Sequence, residues 1–310
     1  MKRNVYHRAF RSMGTRLNIV LPDLAEDEAA RSCQLINEEV RRIEAMFSYF
    51  LPESEIGRIN RRAYAEAVPV SKELFGALQE CVRYAGLTSG AFDITMRPLI
   101  TDRTERVDHD PTGEELIRLR SQLGIDKLLL DEASQSVRLA SPSVRLDLGG
   151  FGKGYALERL MTMLPPLGLR NAFISFGEST VLTMGHHPNG DCWQLGVTNY
   201  VQPEQSLFTF RLNDGAMSTS SNFSVRDDGS LRQYRHVIDP ATGRPVERCA
   251  TVSVCSASPL EAEVLSTALL VLDDETRKSI CRDLPHIQAV SVNYESGTPD
   301  VITYHEPALA

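Results

Sequence analysis

The sequence predicts an α+β fold, on three observations. Stretches with a helical period of apolar residues are interleaved with strand-like stretches, the two follow no regular βαβ rhythm, and residues 171–234 are mostly short β-like segments separated by Gly, Asn and Asp. A doubly wound parallel sheet would require the rhythm. At 310 residues with 42% hydrophobic residues, the chain can bury a large core. No linker-like stretch, internal repeat or low-complexity tract divides it, so residues 1–310 are expected to form one large domain.

Each element has its own signal. Residues 5–21 read as a strand pair or a bent strand broken at Gly14 in SMGT. A helix follows, where Asp23 and Glu26 have capping-box spacing and Ala29, Cys33, Ile36, Val40 and Ile43 recur at intervals of four, three, four and three. A second helix starts at Ser71, carries Leu74, Leu78, Cys81 and Ala85 on one face, and ends at Thr88, Ser89 and Gly90. A third follows Thr112. From residue 126 onward LLL, SVRLA and VRLDL are strand-like runs; the glycines of residues 149–154 break the pattern before an amphipathic segment, 155–164, that stops at Pro165 and Pro166. Residues 258–271 form the best-marked helix, with Ser258 as N-cap, Pro259 at N1 and Glu261 at N3. The last strands are expected at 287–292 and 301–304.

A net charge of −8 and a pI near 5.5 argue against a nucleic-acid or anionic-membrane binder, which needs a basic surface to displace counterions. The first residues, MKRNVYHRAF, are basic, but no apolar run follows, so neither a signal peptide nor a membrane span is read and the expected location is cytoplasmic. Six cysteines stand singly without a C-x-x-C pair, which leaves little for a zinc-ribbon or redox motif; they are expected as reduced thiols.

Four segments can carry chemistry. DLGGFGKGY, residues 147–155, is a glycine-rich strand-to-helix turn of the kind that lets backbone N–H groups approach a phosphate, and Lys153 adds a point charge. It is neither a Walker loop, because Gly154 follows the lysine, nor a G-x-G-x-x-G fingerprint, and by itself it is equally a tight turn with a solvated lysine. On the helix from Ser258, Glu263 and Thr267 stand four apart with Ser266 beside them, a set that can complete the oxygen shell of Mg²⁺ or simply be the polar stripe of a half-buried helix. HVIDPATGRPV, residues 236–246, runs into a turn that Asp239 can close, and its His236 is either a general base or a structural histidine. GAMSTSSNF, residues 215–223, gathers four hydroxyls and an amide where a core strand should end, as a phosphate or ribose site or an ordinary polar loop would.

Taken in order, these segments resemble the ApbE family, the FAD:protein FMN transferases. The likeness runs nearly end to end, through Met13-Gly14-Thr15, FSYFLPESEIGRIN, SGAFDITMRPL, LDLGGFGKGYALERL, NAFISFGES, GHHPNGDCW, GAMSTSSNF, HVIDPATGRPV and LEAEVLSTALLVL. The resemblance implies a T-fold-like domain with mixed or antiparallel sheets and packed helices. It also implies a Mg²⁺-dependent enzyme that splits the pyrophosphate of FAD, moves the FMN half onto a Ser or Thr hydroxyl of an acceptor flavoprotein and releases AMP. The alternatives are an FAD pyrophosphatase and an FAD-binding protein with little or no turnover. By position, Met13, Tyr49, Ala91, Phe92, Asp93, Asp147 and Lys153 match the family's flavin-nucleotide contacts, and Val237 and Ile238 join them. The Gly150 carbonyl and the side chains of Glu263 and Thr267, with Ser266 alongside, match its metal site. Lys153 and the metal are then the groups that neutralise charge developing on phosphate, and His236, with Asp239 as rival, is the base for the acceptor hydroxyl. Three positions depart: Glu263 stands where the family usually has aspartate, and Glu178 and Ser221 where it has glycine. The lipoprotein signal of exported members is not found in this chain.

Overall fold

The computed structural model describes residues 4–100, 113–226, 228–295 and 297–305. In chain order its strands and helices are β1 (Val5–Ser12), β2 (Thr15–Pro22), α1 (Glu26–Phe47), α2 (Glu55–Arg62), β3 (Val68–Pro69), α3 (Lys72–Leu87), α4 (Gly113–Arg120), β4 (Leu128–Asp131), β5 (Ser136–Leu139), α5 (Gly152–Met163), β6 (Ala172–Phe176), β7 (Thr180–Met184), β8 (Trp193–Thr198), β9 (Ser206–Leu212), β10 (Gly215–Ser221), β11 (Phe223–Val225), β12 (Leu231–Gln233), β13 (Ile238–Asp239), β14 (Arg244–Pro245), β15 (Ala250–Ser256), α6 (Pro259–Val271), α7 (Asp274–Asp283), β16 (Gln288–Asn293) and β17 (Asp300–Tyr304). They fall into two compact units, one of Met1–Glu44, Gly150–Arg232 and Arg248–Ala310, the other of Ala45–Gly149 and Gln233–Glu247.

The first unit is built on an eight-stranded sheet, ordered β1-β2-β6-β7-β10-β15-β16-β17, in which every neighbouring pair is antiparallel. The expected α+β class therefore holds. The break read at Gly14 is a two-residue hairpin turn: Met13 and Gly14 both have positive φ, +50° and +71°, and Ser12 pairs with Thr15 across it. Because side chains alternate across a strand, β7 and β10 serve both faces of the sheet. Val181 and Met217 lie with Cys255, Val290 and Val292 in a cluster closed by Leu195, Val197 and Phe210 of the β8–β9 hairpin. Thr180, Ser218 and Ser220 point the other way, toward α6.

Helix α6 starts as its sequence predicts, with Ser258 accepting from the Glu261 N–H and Pro259 in the first turn. It is not the half-buried helix that its polar stripe suggested. Leu260, Ala262, Glu263, Val264, Leu265, Ser266, Ala268, Leu269 and Leu270 are all buried, so apolar residues surround it and the stripe faces protein rather than water. Helix α5 packs so closely against it that a Cβ at Gly154 would stand 2.6 Å from Glu263 Cβ and 2.7 Å from the Pro259 carbonyl oxygen. The five apolar residues of α1 are fully buried, as their spacing predicts, but the helix does not start from Asp23 as its cap. Ala25 accepts the first intrahelical bond, from the Ala29 N–H at 2.9 Å, while Asp23 sits two residues earlier at φ +63° and donates its N–H to Asn4.

In the second unit, Ser71 caps α3 by accepting from the Leu74 N–H, and Leu74, Leu78, Cys81 and Ala85 are buried as expected. LLL and SVRLA form β4 and β5 of a three-stranded sheet ordered β3-β5-β4. VRLDL has the burial alternation of a strand, with Val144, Leu146 and Leu148 inside, but among the described residues it joins no ladder beyond a single bridge from Arg145 to Met96. A side chain takes the place of a neighbouring strand: Asn60 accepts from the Leu146 N–H at 2.7 Å and donates to its carbonyl at 2.9 Å, and Asp147 donates its N–H to the Ile94 carbonyl. Two helices were not read from the sequence, α2 with Ser54 as its cap and α7 with Asp273.

The two units contain glycines of opposite kinds. Gly154→Ala forces backbone apart and is expected to lower stability by about 2 kcal/mol or more. Gly76→Ala, inside α3 where a Cβ meets nothing within 4 Å, is expected to raise it by about 0.5–1 kcal/mol. Urea denaturation of both variants checks the pair of signs.

Candidate active site

The glycine-rich segment ends in helix α5, whose first residues are Gly152, Lys153 and Gly154. Lys153 carries its ammonium from that first turn to the Oε1 of Glu263 on α6, forming an ion pair 110 positions apart in sequence. The carboxylate is buried, with 4% of its side chain exposed against 22% for the lysine. Its other oxygen, Oε2, accepts from the Thr180 hydroxyl of β7 and from the Ser218 hydroxyl of β10 at 3.1 Å. Both oxygens are thus engaged, as a charge this deep requires.

Around the carboxylate runs a chain of hydroxyls. Ser266 Oγ donates to Ser218 Oγ at 3.2 Å and lies 3.0 Å from the Glu263 carbonyl; Ser220 Oγ is 2.9 Å from Ser266 Oγ and 3.1 Å from Thr267 Oγ1. Gly150 abuts the end of that chain, since a Cβ there would stand 3.4 Å from Thr267 Oγ1. The four expected metal-site residues, Gly150, Glu263, Ser266 and Thr267, therefore converge in the first unit. Their donors are oxygens with a single carboxylate among them, which fits Mg²⁺, an ion that takes few protein carboxylates and completes its shell with phosphate or water. Among the described residues no group of three His, Cys, Asp or Glu gathers to hold a metal by itself. A further sign of fit is that Glu263 already holds a cation, the Lys153 ammonium.

Also in the first unit, Met13 occupies the β1–β2 turn, where its N–H donates to Glu44 Oε1 at 2.8 Å. Thr180, Ser218 and Ser220 were not singled out individually from the sequence. Ser218 and Ser220 lie within GAMSTSSNF, and that run is a strand, β10, whose alternate hydroxyls all face α6 rather than a polar loop. Glu178, one of the departures, is exposed at φ +64° next to Gly177 at φ +54°. Left-handed backbone there is a physical reason for glycine at this position.

The second unit collects the remaining candidates. Asp147 accepts from the Gly149 N–H through Oδ1 at 2.9 Å, and its Oδ2 lies 3.5 Å from the Arg97 guanidinium. Arg97 in turn lies over the Tyr49 ring, 4.6 Å from its centroid, with Phe50 5.6 Å away. Arg97 was missed although it sits inside SGAFDITMRPL, because nothing local ties it to residues 49 and 147. Asp93 is spoken for structurally: it accepts from Thr95 N–H and Oγ1 and from the Ile125 N–H at 3.0 Å. Burial raises its pKa above the ordinary carboxylate value, opposed by these hydrogen bonds. Ala91 and Phe92, which precede it in the chain, are buried, and so are Val237 and Ile238 in HVIDPATGRPV.

Asp239 forms the predicted turn, accepting from Ala241 N–H at 2.8 Å and from the Thr242 hydroxyl at 2.9 Å, so both its oxygens are used. His236 has a face open to solvent, packs edge-on to Tyr234 at 5.7 Å, and has no hydrogen bond to its ring among the described residues. Desolvation by the protein around it holds its pKa below the usual histidine value. A neutral imidazole with free nitrogens is the arrangement a general base needs.

Comparison with known proteins gives a consistent result. The ApbE family model matches residues 13–291. The FAD:protein FMN transferase of Vibrio cholerae is 27% identical, over 87% of this chain and 82% of its own; that of Chlamydia trachomatis is 30% identical over 83% of each. Among solved structures, the ApbE protein of Thermotoga maritima superposes with a TM-score of 0.81 at 26% identity, covering 96% of both chains. The flavin transferase ApbE of Vibrio cholerae gives 0.84 at 25% identity, covering 97% of both.

The hydroxyls around Glu263 are expected to differ in worth. Thr180→Val removes a bond to a buried charge and should cost about 2 kcal/mol of unfolding free energy, whereas Ser220→Ala, a neutral pair, should cost about 1 kcal/mol or less. Equal losses in chemical denaturation would contradict this ranking.

Proposed function

The chain belongs to the ApbE family, and from that membership and the site geometry we propose that it transfers the FMN moiety of FAD to a Ser or Thr hydroxyl of an acceptor flavoprotein, releasing AMP, with Mg²⁺ as cofactor. The observation that carries the reading is the convergence of Lys153, Glu263, Ser266, Thr267 and Gly150 at the start of α5, an all-oxygen set with one lysine.

In this reading FAD is bound with its phosphates toward the first turn of α5, where free N–H groups and the Lys153 ammonium offset their charge. The hydroxyl of the acceptor gives its proton to His236 as its oxygen bonds to the FMN phosphorus. The bond from that phosphorus to the bridging oxygen breaks, and AMP leaves with that oxygen. Asp147, held by the Gly149 N–H and Arg97, and Tyr49, covered by the Arg97 guanidinium, are the polar and aromatic groups assigned to the nucleotide. Met13, Ala91, Phe92, Asp93, Val237 and Ile238 complete that assignment. Gly150, Glu263, Ser266 and Thr267 would hold Mg²⁺, which when bound supplies positive charge to the pyrophosphate oxygens. Asp239 is retained as the residue that shapes the turn after His236. A cytoplasmic location is proposed on the six free cysteines; no described helix is long and apolar enough to cross a membrane.

Incubation with FAD, Mg²⁺ and a Ser- or Thr-bearing acceptor should yield AMP and a covalent FMN increment in equal amounts. AMP without adduct would instead indicate hydrolysis, and neither product from folded protein would remove the proposal. Lys153→Ala should lower kcat/KM by about 10²–10³-fold. With His236 as base, the rate should rise with pH and level off through a midpoint below about 6.5, because the depressed pKa makes the ring neutral earlier. His236→Gln should flatten that limb; an unchanged profile would reassign the base.

A further inference from the structure

The resemblance assigns Lys153 to phosphate and Glu263 to metal, yet the folded chain binds these two groups to each other. A buried carboxylate needs a countercharge, and among the described residues Lys153 is the one cation that forms an ion pair with it. Thr180 and Ser218 occupy Oε2, so a second cation arriving at Glu263 meets the ammonium at Oε1. Two like charges at this range in a buried site repel strongly, and one must leave.

The lysine is the group able to move. Its side chain is 22% exposed, on a flexible four-carbon stem, in the first turn of α5, whereas the glutamate is held in the helix-to-sheet packing by two hydroxyls and by the Gly154 contact. We propose that Lys153 and the divalent cation are alternative occupants of Glu263, so that metal entry releases the lysine ammonium at the N-terminus of α5. This rests on the metal assignment proposed above and adds an order to it. Without metal the chain neutralises its own carboxylate and keeps its lysine withheld from phosphate; with metal the lysine becomes available. One charge is exchanged for another at Glu263, so the buried site is never left with an unpaired carboxylate.

The chain has five lysines, so acylation with an N-hydroxysuccinimide ester can be followed at each by peptide mass spectrometry, the other four serving as internal standards. In wild-type protein without FAD, Mg²⁺ is expected to raise labelling of Lys153 at least about threefold. In Glu263→Gln, labelling should be high with or without the ion. By calorimetry, Lys153→Met should bind Mg²⁺ about tenfold more tightly than wild type, since the competing occupant is gone. Its metal-free form should melt about 5 °C lower and regain that loss with Mg²⁺. Mg²⁺ binding to wild type with unchanged Lys153 labelling, or weaker binding by Lys153→Met, would overturn the exchange and leave the metal assignment standing. No calorimetric binding by either protein would overturn both.

Discussion

The buried carboxylate of Glu263 sets the terms for the first unit. A charge on a side chain only 4% exposed is tolerable only if both oxygens find donors and a cation stands beside it. Those partners come from three separate elements: Lys153 from α5, Thr180 from β7 and Ser218 from β10. Meeting that requirement brings α5 against α6 closely enough that Gly154 admits no Cβ, and it places hydroxyls on the face of β10 that an ordinary α/β interface would fill with apolar side chains. The same constraint creates the chemistry, because a deep carboxylate ringed by hydroxyls beside a helix N-terminus is an oxygen-rich place for a cation and phosphate.

A related logic runs through the second unit, where polar side chains stand in for secondary structure. Asn60 gives Leu146 the two hydrogen bonds that a neighbouring strand would give, and Asp93 and Asp239 each use both carboxylate oxygens to hold a turn. Loops held by several side-chain bonds present groups such as Asp147 in a fixed direction without a sheet to brace them. Arg97, joined to Asp147 and lying over Tyr49, ties two distant segments of the chain together.

Much of the fold was legible because the signals are local. The intervals in α1 and α3, the Ser71 and Ser258 caps, the Gly14 turn and the prolines after α5 each act within a few residues and so leave a readable pattern. Short α2 and α7 escaped because EIGRINRR and DETRKSICRD carry too few apolar positions to show a period, although Ser54 and Asp273 stand at their starts. VRLDL has the inside-outside alternation of a strand, but among the described residues its pairing stops at one bridge, and alternation does not reveal whether a strand has a neighbour. Asp23 and Glu26 had the spacing of a capping box, but the chain turns at Asp23 with positive φ, and the helix begins after Ala25.

The sequence by itself determined the α+β class, the likeness to the ApbE family, and which segments carry the candidate chemistry, because periodicity, caps and motif order are properties of the chain read along its length. Only the tertiary structure decided what those segments do to one another. It joined Lys153 to Glu263 across 110 positions, turned the polar stripe of α6 inward, and aligned Ser218 and Ser220 with Ser266 and Thr267. The physical reason is that a charge is satisfied by whatever folding brings within hydrogen-bond distance, and that distance bears no relation to separation in sequence.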